Sequence, residues 1–479
     1  MKKIIFLAIL SLSTMTLYCQ RMHTNTWLSS RYNRLTFYGD TANIDTVGTG
    51  IMIWLNFSSV SDSLGDLMLF SDGLHIFNKN YEIMENGDSL LFNSWWVWCM
   101  GQLGGANRIV NGSLILPFPN HPNQFIVIYE TVENLPIDRP LGAYYAIVDL
   151  NMNNGKVIEK DIRIFQDTLA PGTIQAVRHG NGNDWWILVP ENETDCTYIM
   201  KLDDNGVSLK DKSCIGDVMD EWYPIGGQSV FSPNGKWYAK VNDNEQLNLF
   251  EFDRCNGEFI AYQKLIVSDE WWFGAYRDPA LGVSFSPNSR YIYVSCGKDL
   301  IQMDLEVSDI PSSLVILDTL PISNTFNYFG PSCLAPNGKI YISTGNEFMH
   351  VIENPDTAAQ FVEVNTFGIE LPYPINFSIP NFANYNLGPL PDPCPTVSVE
   401  EPQEASIKVY PNPAGAVINV EIKAIGVFGL IDLQGREILS RVLTAVSTTV
   451  PVGNLMEGVY IYRIKTDKRC YYGKLVIQR

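Results

Sequence analysis

A stretch of sequence recurs at intervals of about fifty residues, and this recurrence restricts the fold more than any other feature. Phe231-Ser232-Pro233-Asn234-Gly235-Lys236-Trp237, Phe285-Ser286-Pro287-Asn288-Ser289-Arg290-Tyr291 and Leu334-Ala335-Pro336-Asn337-Gly338-Lys339-Ile340 align, with their prolines 54 and 49 residues apart. Proline presets φ, and Asn-Gly tolerates positive φ, so each copy reads as strand, tight turn, strand. A weaker copy surrounds Trp185-Trp186-Ile187, and Phe125 to Ile128 and Leu67 to Phe70 supply two more. A second strand pattern follows each copy, the last at Phe348 to Ile352. Four short strands per unit of this length is the signature of a β-propeller blade. Six blades are counted in this way, and the stretches before Ile51 and around Gly368 to Phe382 are free to supply a seventh from both chain ends. Such a blade closes the ring and removes free sheet edges. The expected fold is therefore all-β: a β-propeller of seven blades, with six and eight left open, over residues 21–390, then a small Ig-like β-sandwich.

Composition agrees with that architecture. Hydrophobic residues make up 46% of the 479 and aromatics 12%, enough for a packed core and too much for a disordered chain. The formal charge of −19 leaves no basic footprint for phosphates, so nucleic acid is excluded as a main partner. Lys2 and Lys3 followed by Ile4 to Leu10 read as a secretory signal peptide over 1–20, the apolar run being too short to span a bilayer. Cys19 is a poor lipid acceptor because bulky Tyr18 precedes it. No later segment is long and apolar enough to span a membrane, so the mature chain is expected to carry no transmembrane segment.

Eight cysteines follow the signal, an even set in an oxidising compartment. Cys196 and Cys214 each lie nine residues from Asn205 in the turn Asp203-Asp204-Asn205-Gly206, so in a hairpin they face each other, and a cross-strand disulfide is expected. There is no CxxC pair and there are only five His, so no metal site and no cofactor is expected.

Two resemblances rest on residues rather than composition. Leu35-Thr36-Phe37-Tyr38-Gly39, Gly65 to Gly73, Asn78 to Met84, Val177-Arg178-His179 and the Ser-Pro-Asn turns, in that order, resemble the WD40-like propeller region of secreted Bacteroidetes proteins. That resemblance implies a fold and a compartment but little chemistry. Past a proline-rich linker over 391–404, the C-terminal residues 405–479 carry Tyr410-Pro411-Asn412-Pro413, then Asp432, Gly435 and Arg436, then Gly458 and Tyr460, then Gly473 and Lys474. These blocks closely resemble the type A sorting domain of the type IX secretion system. The resemblance implies export across the outer membrane by that machinery, to a secreted or surface-attached location, with the sorting domain usually cleaved.

Candidate site residues come from the links between blades. In a propeller the first and third turns of each blade share one face, and the links emerge on the other. The Ser-Pro-Asn turns are of the first kind and read as structural punctuation. The links carry Asp220-Glu221-Trp222-Tyr223, Asp269-Glu270-Trp271-Trp272 with Tyr276 and Arg277, Tyr328, and Trp95, Trp96 and Trp98. Asp220 and Asp269 lie 49 residues apart, one blade, so neighbouring links repeat an acidic pair beside two aromatics. Flat rings beside carboxylates suit sugar rings or peptide side chains, and equally the packing of one blade on the next. The expected function is a binding module for a glycan or a protein. A polysaccharide- or peptide-degrading hydrolase or lyase, and a structural part of a cell-surface layer, stand as alternatives. No catalytic residue is assigned: the His residues are scattered, no GxSxG motif is present, and a carboxylate separation cannot be read from sequence.

Overall fold

The computed structural model of the protein describes residues 22–394 and 408–478 apart from 31–32, 49–52, 54, 103, 106, 108, 133–139, 153, 219–226, 242–245, 268–270, 273–275, 278–281, 322–326, 423–425, 433–435, 444–446 and 467–469. The signal peptide expected over 1–20 lies outside these residues. The chain divides into two compact units, Met1–Cys394 and Pro395–Arg479.

Seven antiparallel sheets form the blades of the first unit among the described residues. Five have four strands in chain order. Blade 3 runs from Ser113–Pro117 to Lys156–Phe165, blade 4 from Gln175–Arg178 to Gly206–Cys214, and blade 5 from Ser229–Phe231 to Glu258–Ile266. Blade 6 runs from Gly282–Phe285 to Val315–Thr319, and blade 7 from Ser332–Leu334 to Val364–Glu370. Blade 2 has strands Ser58–Ser61, Leu67–Ser71 and Ile76–Asn78, with residues 82–84 bonded alongside as a fourth. Blade 1 consists of Thr26–Ser29, Asn33–Tyr38 and Thr41–Thr46.

Neighbouring blades cover both faces of a sheet, so the second strands are apolar without alternation. Trp185–Pro190 and Tyr291–Cys296 are buried along their whole length, whereas the outermost strand Gly206–Cys214 is mostly exposed. Buried clusters join each blade to the next around a closed ring. Examples are Tyr293 with Ile342 between blades 6 and 7, Tyr341 with Trp27 between 7 and 1, and Leu28 with Phe70 between 1 and 2. This packing accounts for the heavy aromatic content.

Ring closure draws on both chain ends, as the sequence predicted, but the C-terminal stretch lies inside the ring without joining a ladder. Strand Val364–Glu370 ends blade 7, and residues 371–394 then pass down the centre alongside Thr26–Ser29. Pro372, Pro374 and Pro380 have no N–H to donate, so this segment cannot pair as a strand. Side chains make the connections instead. Asn381 Nδ2 donates to the carbonyls of Asn111 (3.1 Å), Ser113 (3.1 Å) and Ile174 (2.9 Å), and its Oδ1 accepts from Gln175 Nε2 at 3.0 Å. The Tyr385 hydroxyl donates to Ile115 O and Asn384 Nδ2 to Pro233 O. Inner strands of a propeller present an unpaired edge to the channel, and these amides and hydroxyls satisfy it.

The segment leaves on the face that carries the Ser-Pro-Asn turns, here the turn face, and is clasped there. Arg254 Nη2 donates to Gly388 O at 2.7 Å, Arg178 Nη2 donates to Tyr385 O at 3.2 Å, and Cys394 is disulfide-bonded to Cys255 in the third turn of blade 5. Burial, with the Arg178 charge beside it, lowers the Arg254 guanidinium to about 10. The expected Cys196–Cys214 bridge is also present, the two residues being directly opposed on adjacent strands.

The second unit is a β-sandwich. One sheet orders Lys408–Tyr410, Val417–Glu421 and Ser447–Pro451, and the other orders Glu437–Leu443, Gly426–Ile431, Gly458–Thr466 and Cys470–Ile477. Ile418, Phe428, Leu430, Val450 and Leu475 fill the space between them. No helix among the described residues is long and apolar enough to cross a membrane.

Candidate functional site on the link face

The opposite face of the ring, the link face, is formed by the second turns of the blades and the connections between them. Its best-described feature is the long link from blade 2 to blade 3, which contains the helix Ser94–Gln102. Asn93 caps that helix: its Oδ1 accepts from Trp96 N at 3.0 Å, and its Nδ2 ties the cap to Val132 O at 3.0 Å. Trp95 and Trp98 stack with ring centroids 5.1 Å apart, and Trp96 leans on Phe92 at 5.1 Å and on His75 at 5.9 Å. Phe92 is 67% exposed, a large apolar ring presented to solvent, and Val97 beside it is 53% exposed. The indole N–H groups of Trp95 and Trp96 are buried and find no acceptor among the described residues.

Beneath this platform the second turn of blade 2 holds a buried Asp72–His75 pair. Asp72 Oδ1 accepts the backbone N–H of Leu74 and His75, and its Oδ2 lies 3.1 Å from His75 Nδ1. Burial acts to lower the imidazole, but the charge and hydrogen bond of Asp72 outweigh it and hold His75 above its ordinary value. His75 therefore keeps its proton to a higher pH than an ordinary imidazole, under an aromatic roof. His350, in blade 7, has the opposite environment. Burial drives its imidazole down to about 4, and its Nδ1 accepts the Phe367 N–H, so it is a neutral packing group. His179 sits in the first turn of blade 4, on the turn face, where its Nδ1 accepts from Asn181 N.

The other expected site residues have varied placements. Trp271 and Trp272 pair with Arg277 and Tyr276 in a two-stranded hairpin in the link between blades 5 and 6. Tyr328, half-buried, lies in the link between blades 6 and 7, next to Phe329, which packs on His350 at 4.6 Å. Asp220, Glu221, Trp222, Tyr223, Asp269 and Glu270 lie outside the described residues. The structure thus brings Trp95, Trp96 and Trp98 together, and the blade topology puts their link on the same face as the hairpin and Tyr328. Sequence reasoning missed Phe92, Asp72 and His75. Phe92 lies four residues before Trp96, and the turn Ser71-Asp72-Gly73-Leu74-His75 needed only a test for side-chain capping to be noticed.

In the second unit, each of the sequence blocks named above has a structural role. Asn412 Nδ2 donates to Lys474 O and its Oδ1 accepts from Val476 N, so Tyr410-Pro411-Asn412-Pro413 is locked to the last strand. Arg436 returns to Asp432 through both its backbone N–H and its Nε. Tyr460 donates to Met456 O. Gly473 lies opposite Tyr462, where a Cβ would sit 2.3 Å from the phenol ring. Gly435 lies outside the described residues.

Fold and sequence together define a seven-bladed β-propeller with a C-terminal sandwich that serves as an export signal. That sandwich belongs to a known family: residues 408–478 match the secretion system C-terminal sorting domain, the signal of the type IX route, and the chain is a secreted or cell-surface protein. No curated protein matches the chain. Among solved structures it is similar to a provisionally assigned 6-phosphogluconolactonase from Bacteroides uniformis, with 13% identity over 72% of this chain and 93% of that one and a TM-score of 0.44. A second such protein, from Bacteroides fragilis, gives 10% identity over 74% and 95% and a TM-score of 0.45. PorZ of Porphyromonas gingivalis, a surface component of the type IX system, gives 10% identity over 95% and 70% and a TM-score of 0.31. These likenesses are too distant for activity to transfer from any of them.

Proposed function

We propose that this protein is a binding module exported by the type IX system, and that its propeller recognises a glycan on the link face. The observation that carries this reading is the helix Ser94–Gln102 with the exposed Phe92 ring before it and the Trp96 ring packed against that ring. Sugars offer an apolar C–H face to such a ring. In sequence, the link between blades 5 and 6, which holds the Trp271–Trp272 hairpin, also contains the pair Asp269-Glu270, and the link one blade earlier contains Asp220-Glu221. Asp72 fixes His75 beneath Trp96, which gives the platform a rigid support.

The test is a glycan array probed with the exported protein, followed by calorimetry on the best ligand. Phe92→Ala, an exposed change that leaves the fold intact, is expected to weaken binding about tenfold, and Phe92→Ala with Trp96→Ala to abolish it. Undiminished binding by a folded double variant refutes the site. Binding to peptides and to no glycan replaces the sugar by a protein ligand.

A further inference from the structure

The channel is only partly filled by residues 371–394. Beside them remains a cavity of about 330 Å³ that reaches the turn face, at the low end of the range for small-molecule sites. We propose that this cavity binds a small uncharged saccharide, one sugar residue in size. The site is independent of the link-face reading and lies on the opposite side of the ring.

Its wall is built by the repeat. Phe231, Phe285 and Leu334 end the inner strands of blades 5, 6 and 7, and Pro233, Pro287 and Pro336 follow at the same place in each turn. Three consecutive blades thus present a ring or branched chain and a proline to one volume, the flat apolar contact that the C–H face of a sugar needs. Across from them the passing segment contributes Phe382 and Tyr385.

The polar groups narrow the ligand further. Among the described residues no Asp, Glu, Lys, Arg or His lines the cavity, so an ion entering it would shed water without meeting an opposite charge, a cost of several kcal/mol. Deeper in, Ser284 Oγ and Ser332 Oγ lie 2.8 Å apart, both buried. One hydroxyl hydrogen is used between them and the other is left over. Gln228, also buried, accepts from Val283 N and Ser332 N and donates one amide hydrogen to Ser332 O, and its second amide hydrogen has no acceptor among the described residues. A neutral ligand rich in hydroxyl oxygens matches two spare donors set between apolar walls, whereas a hydrocarbon leaves both unpaired.

Cys333, a free half-buried cysteine in the cavity wall, reports on occupancy. Burial pushes its thiol up to about 12, so it reacts slowly and is best followed at pH 9. The full chain is treated with iodoacetamide, and the Cys333 peptide is quantified with glucose, galactose, mannose, N-acetylglucosamine, glucuronate or benzyl alcohol present. At least one neutral sugar is expected to slow alkylation tenfold or more at saturation, with no slowing by glucuronate or benzyl alcohol. Leu334→Trp fills the cavity and abolishes the protection, while Phe92→Ala leaves it unchanged. Calorimetry on Cys333→Ser, which keeps the cavity, is expected to show the same sugar binding and does not depend on the Leu334→Trp protein folding. Absence of protection by every neutral sugar, equal protection by glucuronate or benzyl alcohol, or no heat with Cys333→Ser overturns the proposal.

Discussion

Blades 5 to 7 and blade 1 complete the same ring by opposite means. Each of the former is one continuous stretch whose strands follow outward in order, and its innermost turn is closed by residues five or fewer apart, as in Ser232 N to Trp237 O and Ser286 N to Tyr291 O. Blade 1 takes its three strands from the N-terminal end and depends on a segment more than 300 residues away. Asn33 donates to Tyr373 O and accepts from Tyr373 N, and Trp27 packs with Ile375 and Ile379. Local closure repeats and leaves a periodic trace. Non-local closure happens once, so it has no period and is paid for by loop entropy that the passing segment must offset.

If the ring is held by that segment, its central side chain should matter more than any single turn. Asn381→Leu keeps the volume but takes the shared donor from the carbonyls of Asn111, Ser113 and Ile174 and leaves the Gln175 amide with Ser229 O but without its second acceptor. At roughly 1–3 kcal/mol for each buried group stranded, the expected loss is about 6 kcal/mol, read from urea unfolding of the full chain. A loss under about 1 kcal/mol would make the segment a passenger and the two kinds of blade equivalent.

The two disulfides set the same comparison at a smaller scale. Cys196–Cys214 spans 18 residues within blade 4, whereas Cys255–Cys394 spans 139 and ties the segment to blade 5. On the chain-entropy account the short loop is worth about 3 kcal/mol and the long one about 4 to 5 kcal/mol. Replacing Cys255 and Cys394 by Ser is therefore expected to lower the midpoint more than replacing Cys196 and Cys214. The reverse order would show that Arg178 and Arg254 hold the exit without the covalent clasp.

What could be read from sequence divides along the same line. The Pro-Asn turns, the spacing of Cys196 and Cys214 about Asn205, and the blocks from Tyr410 to Lys474 are local patterns whose geometry is fixed by a few adjacent residues, and each was legible. Trp95, Trp96 and Trp98 are neighbours in sequence, so that they lie near one another was legible, whereas the helix that carries them was not. The Asn381 contacts, the Cys255–Cys394 pairing and the cavity walled by Phe231, Phe285 and Leu334 were not legible. Each depends on which distant residues a closed ring brings together, and nothing near Asn381 in sequence distinguishes it from an ordinary loop asparagine.

The smallest expected effect concerns a hydroxyl that separates blades 5 and 6 from blade 7. Ser232 and Ser286 each donate to the turn asparagine two residues on, at 2.7 Å, and accept the backbone N–H of Trp237 or Tyr291 at 2.9 Å. Blade 7 has Ala335 at this place, and its turn closes one residue tighter, with Ala335 N donating to Lys339 O. The hydroxyl thus satisfies a strand N–H that the backbone would otherwise have to reach by shortening the turn. Ser286→Ala is expected to cost about 1 kcal/mol, since blade 7 shows that the same backbone can close without the hydroxyl. Amide exchange at Tyr291 should speed up while that at Ile301, in the third strand of blade 6, should not change. If Ser286→Ala instead cost as much as Asn381→Leu, closure would reside in the repeated turns, and the distinction between the two kinds of blade would fail.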